Sequence, residues 1–274
     1  MKKMSFDDLK DKVCVITGGG GVIGTSIVNC LAAAGAKIAV LDLVKDAADK
    51  LAAEASKTYG VKVIGVEANV LDKESLIKAR AVVHKQLGKT DILINGAGGN
   101  SPKATTQVEI MDKADVATPE KTFFGLELEG FKKVFDLNFM GTLLPTMVFA
   151  ADMAEKQQGV ILNISSMNSF RPLTKIPAYS AAKASINNFT QWLAVHMARV
   201  NIRVNAVAPG FFLTNQNRFL LTDEKTGKLT ARGNRIISNT PMGRFGEPDE
   251  LQGTVLYLLS DVSKFVTGVV IPVD

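Results

Sequence analysis

The sequence predicts an α/β fold with a doubly wound parallel sheet, and two observations support this prediction. First, short apolar runs alternate along the chain with amphipathic segments of helical length, which is typical of repeated strand–helix units. Second, runs such as VCVIT at 13–17 and ILIN at 92–95 are apolar at nearly every position, as in parallel strands buried on both faces. We therefore expect about seven parallel strands with helices on both sides of the sheet.

The predicted strands are spread over the whole chain. They occupy residues 12–17, 37–42, 61–67, 91–95, 160–165, 201–207 and 269–273. No proline-rich or serine-rich linker separates them, so a single domain over residues 1–274 is the simplest interpretation. Two segments, 100–125 and 211–241, do not fit the repeat. Each follows a predicted strand at the carboxyl edge of the sheet, so we expect both to form loops that close over a ligand site.

Composition argues against several other classes of protein. Lys2 and Lys3 are followed by polar residues, so no signal peptide is predicted, and no apolar run is judged long enough to cross a bilayer. Cys14 and Cys30 are too far apart for a metal-binding motif and are interpreted as reduced thiols of a cytoplasmic protein. The net charge of +5 is spread among acidic residues, which disfavours a nucleic-acid partner.

A glycine-rich turn follows the first predicted strand, with the sequence TGGGGVIG at 17–24. Glycines allow backbone amides to approach a pyrophosphate, and the N-terminus of the next helix adds a positive dipole end at the same place. A turn of this kind between a buried strand and a helix indicates a Rossmann-type dinucleotide site. The candidate binding residues are Gly18, Gly20, Gly21, Ile23 and Gly24.

Asp42 closes the second predicted strand, eighteen residues after Gly24. A carboxylate at this position can accept hydrogen bonds from the hydroxyls of an adenosine ribose, and it would repel a 2′-phosphate. The sequence therefore predicts NAD(H) in preference to NADP(H). Lys45 is the one nearby residue that disfavours this preference, because its positive charge could attract a 2′-phosphate.

Tyr179 and Lys183 lie four residues apart in the segment PAYSAAK, which has the composition of a helix. At this spacing their side chains share one helix face, where an ammonium group would lower the pKa of a phenol. Such a tyrosine can exchange a proton with a substrate oxygen. Ser166 ends the fifth predicted strand, and its hydroxyl could bond the same oxygen, whereas Ser165 is interpreted as structural.

Taken together, these motifs resemble those of the short-chain dehydrogenase/reductase family. The matching features, in chain order, are TGxxxxxG at 17–24, NGAG at 95–98, Asn138, Ser166, Tyr179, Lys183 and the pair Pro209 and Gly210. The resemblance implies that Ser166 orients a carbonyl group and that Tyr179 is the acid/base. It implies that Lys183 lowers the pKa of Tyr179 and binds the nicotinamide ribose, and that Asn138 holds a water molecule for proton relay.

The resemblance also implies further cofactor contacts and an assembly. The contacts would come from Asn69, Val70, Asn95, Ala97, Gly98, Tyr179, Lys183, Pro209, Gly210, Phe212 and Thr214. The apolar helices near 141–153 and 178–197 would form the contact surface of a homotetramer or homodimer.

Polar and cationic residues dominate the segments expected around the catalytic groups. These segments contain Met167, Gln216, Asn217 and Arg218, and the predicted substrate-binding residues are Asn100, Lys103, Ser166, Asn168, Arg171 and Tyr179. This set suits a hydroxylated acid better than a steroid or an acyl group. Arg171 and Lys103 are the candidates for binding a substrate carboxylate, and arginine is preferred because it can bind one with two parallel hydrogen bonds.

A narrower resemblance concerns the substrate. The segments GAGGNSPKATT, SSMNSFRPLTKIPAYSAAKAS, APGFFLTNQNR and TPMGRFGEP resemble those of D-mannonate oxidoreductases of the short-chain type, also called fructuronate reductases. This resemblance implies hydride transfer between NADH and the keto group of a hexuronate. Gluconate 5-dehydrogenase or another sugar or polyol ketoreductase is the main alternative. A 3-oxoacyl carrier-protein reductase and a catalytically silent NAD-binding scaffold are the remaining ones.

Overall fold

The computed structural model describes residues 5–213, 218–223 and 226–274. Within these ranges the centre of the molecule is a seven-stranded parallel sheet with strand order β3-β2-β1-β4-β5-β6-β7. Its strands are β1 (Val13–Thr17), β2 (Lys37–Asp42), β3 (Val63–Glu67), β4 (Ile92–Asn95), β5 (Gly159–Ile164), β6 (Ile202–Pro209) and β7 (Val270–Val273). The predicted fold class is confirmed.

Helices cover both faces of the sheet. One face carries α1 (Val22–Ala33), α2 (Lys45–Tyr59) and α9 (Gln252–Leu259), and the other carries α3 (Lys73–Gln86), α5 (Gly141–Lys156) and α6 (Pro177–Met197). Shorter helices are α4 (Leu128–Phe135), α7 (Arg218–Leu221) and α8 (Ala231–Asn239). Along β1, Cys14 and Ile16 pack on the first face and Val13 and Val15 on the second. Because both faces are covered, the strand is apolar at every position.

The order of the strands reverses at β1: β2 and β3 are added on one side of it, and β4 is its hydrogen-bonded neighbour on the other side. At this point the loops that follow the two strands separate at the carboxyl edge and leave a crevice, the usual ligand position in open α/β sheets. Thr17 Oγ1 joins the two loops, because it accepts hydrogen bonds from Gly96 N at 3.2 Å and Ala97 N at 3.3 Å. The glycine-rich turn is therefore held against the NGAG segment.

A continuous helix runs from Leu128 to Lys156 through α4, a π turn at Asp136–Met140 and α5. By length and composition alone this helix could cross a bilayer. Half of its most apolar window is nevertheless buried in the fold, where Phe149 and Met153 are fully enclosed. The helix is apolar because part of it packs in the core of the fold.

Candidate active site

The glycine-rich turn is so compact that side chains would fill it. A Cβ on Gly18, which has a φ of +63°, would lie 2.8 Å from the Cα of Ala97, and one on Gly24 would lie 2.6 Å from the carbonyl oxygen of Gly19. Gly21 is the N-cap of α1, and no side chain caps this helix in the described structure. Its first amides, including that of Ile23, are thus available to an anion. The turn fits a pyrophosphate.

Asp42 lies beside this turn at the end of β2. Its carboxylate accepts hydrogen bonds from Gly20 N and from Val44 N, each at 3.0 Å. These two bonds fix the carboxylate while leaving lone pairs for ribose hydroxyls. Lys45, the cation that had argued for NADP(H), forms an ion pair with Asp49 at 2.5 Å. Lys45 is thus paired with a carboxylate one helical turn away.

Two further predicted cofactor residues follow β3. Asn69 is exposed there, and its Oδ1 accepts a hydrogen bond from Leu71 N at 3.0 Å. Val70 is buried beside Gly141, and a Cβ added to Gly141 would lie 3.0 Å from Val70 Cγ2. The structure thus leaves Asn69 accessible at the sheet edge and makes Val70 a packing residue.

Asn95 does not line the crevice with its side chain. Its amide is buried and donates hydrogen bonds to Thr146 Oγ1 at 2.9 Å and to Asn163 Oδ1 at 2.8 Å. The Asn95 side chain therefore joins β4 to β5 and α5, and the expected contact of this residue with the cofactor stays a prediction. Sequence reasoning missed this, because the bonded residues are far away in the chain.

The residues that follow β6 form the other end of the crevice. A Cβ on Gly210 would collide with the carboxylate of Asp274, and Gly210 N donates to Val273 O at 2.9 Å. Phe212 is buried and forms a β-bridge with Gly246. Pro209, Gly210 and Phe212 thus lie at the carboxyl end of β6, and their contacts with the cofactor stay a prediction. Thr214, Gln216 and Asn217 lie outside the described residues.

Asn138 lies in the π turn and is completely buried. Its Nδ2 donates hydrogen bonds to Gly99 O at 2.7 Å and Val134 O at 2.8 Å, and its Oδ1 accepts one from Gly99 N at 3.3 Å. The amide thus links the helix to the segment after β4, and both of its N–H groups are engaged. A Cβ on Gly98 would lie 2.7 Å from Asn138 Oδ1 and 3.3 Å from Lys183 Nζ, so the three residues adjoin.

Ser166, Tyr179 and Lys183 come together at the carboxyl end of β5. Pro177 begins α6, and this brings Tyr179 and Lys183 onto successive turns, with Lys183 Nζ 5.6 Å from the centroid of the tyrosine ring. Lys183 Nζ donates a hydrogen bond to Ile164 O at 2.8 Å. The Ser166 hydroxyl accepts one from Asn168 N at 3.2 Å and acts to lower the pKa of the neighbouring Tyr179. The three predicted catalytic residues therefore lie close together.

Burial dominates the protonation of this pair. It raises the pKa of Tyr179, while the hydrogen bond from Ser166 acts in the opposite direction. It also lowers the pKa of Lys183 to about 8. The contribution of Lys183 to the pKa of Tyr179 thus stays a prediction, and in the ligand-free protein the net pKa of Tyr179 is raised. The reason is desolvation, since Tyr179 packs against a cluster that contains Ala104 and Ala178.

Comparison with known proteins agrees with this geometry. The sequence model described as short chain dehydrogenase matches residues 12–225. The chain belongs to the short-chain dehydrogenase/reductase family. Members are oxidoreductases that act on CH–OH groups with nicotinamide cofactors, and this chain is one of them.

Three similar proteins extend over almost the whole chain. An uncharacterized oxidoreductase of Haemophilus influenzae is 53% identical over 97% of this chain and 93% of its own length. The uncharacterized oxidoreductase UxuB of Bacillus subtilis is 45% identical, over 98% and 95%. A crystal structure of a candidate D-mannonate oxidoreductase from Haemophilus influenzae, with bound NAD, has 53% identity and a TM-score of 0.92, covering 97% of this chain and 95% of that one.

In this short-chain dehydrogenase/reductase the two cationic candidates for substrate binding differ. The Lys103 ammonium lies 2.9 Å from a carboxylate oxygen of Glu127 and 3.8 Å from one of Glu129, so its charge is already balanced. This argues against the prediction that Lys103 binds a substrate carboxylate. Arg171 follows Ser166 by five residues, is exposed, and forms no ion pair within the described part of the chain.

The polar candidates are placed differently again. The amide of Asn100 donates a hydrogen bond to Thr105 Oγ1 at 3.0 Å, so it stabilises its own loop. Asn168 is buried, and its backbone amide bonds the hydroxyl of Ser166. Of these two, Asn168 is the one in direct contact with the predicted catalytic residues.

The segment 100–127 of this family member contacts both loops beside it. Thr106 N donates a hydrogen bond to Lys175 O at 2.9 Å, which joins the segment to the loop between β5 and α6. Glu109 forms an ion pair with Arg235 of α8. Lys175 has a φ of +75°, an uncommon conformation for a lysine, so the loop there is held in place by its contacts.

Proposed function

We propose that the protein interconverts a keto group and a hydroxyl group on a sugar acid with NAD(H), and that D-fructuronate and D-mannonate are the substrate pair. The observation that carries this proposal is the exposed guanidinium of Arg171, which has no ion pair among the described residues and lies on the loop that begins at Ser166. An arginine in this state suits a carboxylate. The 53% identity to a candidate D-mannonate oxidoreductase supports the same substrate class.

The preference for NAD(H) rests on charge. The Asp42 carboxylate is held by two backbone amides beside the glycine-rich turn, where a 2′-phosphate would meet a negative charge. Lys45 is paired with Asp49 and does not offset that charge. When bound, the nicotinamide would supply or accept the hydride. We propose that the turn at 18–24 holds the pyrophosphate of the cofactor and that Lys183 binds its nicotinamide ribose.

The protein's own groups handle the proton. In the reductive direction Tyr179 donates its phenolic proton to the keto oxygen as that oxygen acquires negative charge. The Ser166 hydroxyl bonds the same oxygen and fixes the carbonyl beside the tyrosine. The ammonium of Lys183, buried within reach of the tyrosine ring, stabilises the phenolate that remains. Asn138 positions the helix below this group through its bonds to Gly99, and we assign the proton-relay water to its neighbourhood.

The decisive experiment measures NADH oxidation with D-fructuronate, 5-keto-D-gluconate and an acetoacetyl thioester as substrates. We expect the highest kcat/KM with D-fructuronate, and a higher kcat/KM with NADH than with NADPH. Tyr179→Phe removes the proton donor and should lower kcat about a hundredfold or more. Arg171→Met should lower kcat/KM for the uronate about tenfold to a hundredfold, mainly through KM. Arg199→Met, a change at an exposed arginine at the end of α6, is the matched control.

Each alternative has its own outcome in this assay. Preference for 5-keto-D-gluconate would identify a different sugar ketoreductase, and preference for the thioester an acyl reductase. Binding of NADH without turnover of any substrate would favour the silent scaffold. Full turnover by Tyr179→Phe would refute the mechanism.

We further propose that the protein forms a homodimer or homotetramer. Apolar side chains remain exposed on two core-forming helices, with Met147 on α5 and Trp192 and Val195 on α6 exposed by 56%, 58% and 81%. Exposed apolar surface on otherwise well-packed helices favours contact with a second copy.

A further inference from the structure

A small polar cluster lies behind the catalytic serine. Asn187 stands one helical turn after Lys183 on α6 and is half-buried. Its Oδ1 accepts a hydrogen bond from Ser165 Oγ at 2.5 Å, and its Nδ2 donates one to Ser169 Oγ at 2.8 Å. The Ser169 hydroxyl in turn donates to the backbone carbonyl of Ser166 at 2.5 Å. A series of hydrogen bonds therefore leads from α6 to the backbone of the catalytic serine.

The direction of this series is set by the number of available hydrogens. Each serine hydroxyl has one proton, and those of Ser165 and Ser169 go to Asn187 and to the Ser166 carbonyl. If the amide of Asn187 were reversed, its oxygen would face Ser169 and would compete with the Ser166 carbonyl for that proton. In the observed orientation each of these groups has a hydrogen-bond partner.

The cluster controls where the Ser166 hydroxyl stands. The Ser166 carbonyl accepts a second hydrogen bond, from Ser169 N at 2.9 Å. The backbone amide and the hydroxyl of Ser169 therefore both hold the backbone of Ser166. The Ser166 hydroxyl itself accepts a hydrogen bond from Asn168 N and acts to lower the pKa of Tyr179. Because the serine side chain is short, a shift of its backbone moves the hydroxyl by a similar distance. Small displacements of a reacting group cost large factors in rate.

We propose that Asn187 is a positioning residue for the reaction: through Ser169 it holds the backbone of Ser166 and thereby keeps the serine hydroxyl in place beside Tyr179. This inference rests on the roles proposed above for Ser166 and Tyr179. The motif around Tyr179 and Lys183 does not reveal it, since Asn187 and its exposed neighbour Asn188 are alike in sequence.

The first test uses a variant of unchanged shape. Asn187→Asp replaces the amide donor by an acceptor, and Asn188→Asp puts the same charge on an exposed residue of the same helix as a control. With the best keto substrate of the wild type, kcat should fall about tenfold or more in Asn187→Asp. The Kd for NADH and the Tm should match those of the control. Ser169→Ala removes the same link without a change of charge and should have the same effect, with no further loss in the double variant.

A second readout needs no substrate. The protein has three tyrosines, Tyr59, Tyr179 and Tyr257, so changing the first and last to phenylalanine leaves Tyr179 as the sole phenol. Its phenolate absorbance can then be titrated directly. Because the bond from Ser166 lowers the pKa of Tyr179, loss of that bond should move the titration to higher pH in both Ser169→Ala and Asn187→Asp.

The outcomes separate clearly. Unchanged kcat and an unchanged Tyr179 titration relative to the control would refute the positioning role. A fall in kcat that is matched by losses in Tm and NADH affinity would also refute it, because Asn187 would then only support the fold. Wild-type turnover by Tyr179→Phe, in contrast, would refute the proposed function, whereas the titration shift would still report on the link between Asn187 and Ser166.

Discussion

At the residue scale, the chemistry depends on how deeply a pair of ionisable groups is buried. Tyr179 and Lys183 are adjacent on α6, as their spacing predicts, yet burial moves the pKa of each group toward its neutral form. Spacing is a local property of a helix, whereas burial depends on Ala104 and on the other residues packed over the site. The sequence therefore identified the pair, whereas the burial that acts on its protonation depends on tertiary packing.

The pKa of Lys183 leads to a prediction about stability. Burial lowers this pKa from 10.5 to about 8, so between these pH values the unfolded protein binds more protons than the folded one. The free energy of unfolding of the wild type should therefore rise with pH across this window, relative to that of Lys183→Met, by up to about 3 kcal/mol. Urea unfolding of both proteins at several pH values measures the difference. Lys78→Met, at an exposed lysine, is the control, and parallel curves for wild type and Lys183→Met would contradict the prediction.

At the scale of elements, the strands were well predicted and the helical connections less so. Every predicted strand lies within two residues of the observed one, because strands buried on both faces leave continuous apolar runs. The π turn at Asp136–Met140 was not foreseen. It depends on the bonds of Asn138 to Gly99 and Val134, and the distant partner could not be known from a local pattern.

The ion pair between Glu109 and Arg235 is the basis of a prediction about α8. It ties that helix to the segment 100–127, although both side chains are partly exposed. Such pairs contribute about 1 kcal/mol or less, so Glu109→Gln should hardly change the Tm. Backbone amides of α8 should exchange hydrogen faster, by at most about fivefold. Glu120→Gln, at an exposed glutamate without an ion pair in the described ranges, should leave this exchange unchanged, and equal rates in both variants would count against the link.

At the scale of the whole molecule, strand order decides where the site lies. The crevice exists because β1 and β4 are neighbours, which brings the turn after β1 beside the NGAG segment. Ser166 and α6 follow β5, the next strand along the sheet. Residues from four separate parts of the sequence thus meet at one edge, in accordance with the general rule for such sheets.

The proposed assembly can be tested at the same scale. Val195→Glu puts a charge on the exposed apolar side of α6 and should shift the protein toward monomers, since an unpaired charge is costly in an apolar interface. Light scattering after gel filtration measures the mass. Val262→Glu, at an exposed valine after α9, should not change it. A monomeric wild type would show that these helices have no such partner.

The sequence by itself determined the fold class, the glycine-rich turn and the catalytic residue types, because each follows from a local pattern of apolar spacing, glycine content or helical periodicity. Only the tertiary structure decided which charges remain available and which polar groups support the site. Lys103 is neutralised by Glu127, Asn95 is buried against Asn163, and Asn187 is bonded to Ser165. These contacts join residues far apart in the sequence, and the free energy of a charge or an amide depends on such partners and on its exposure to water.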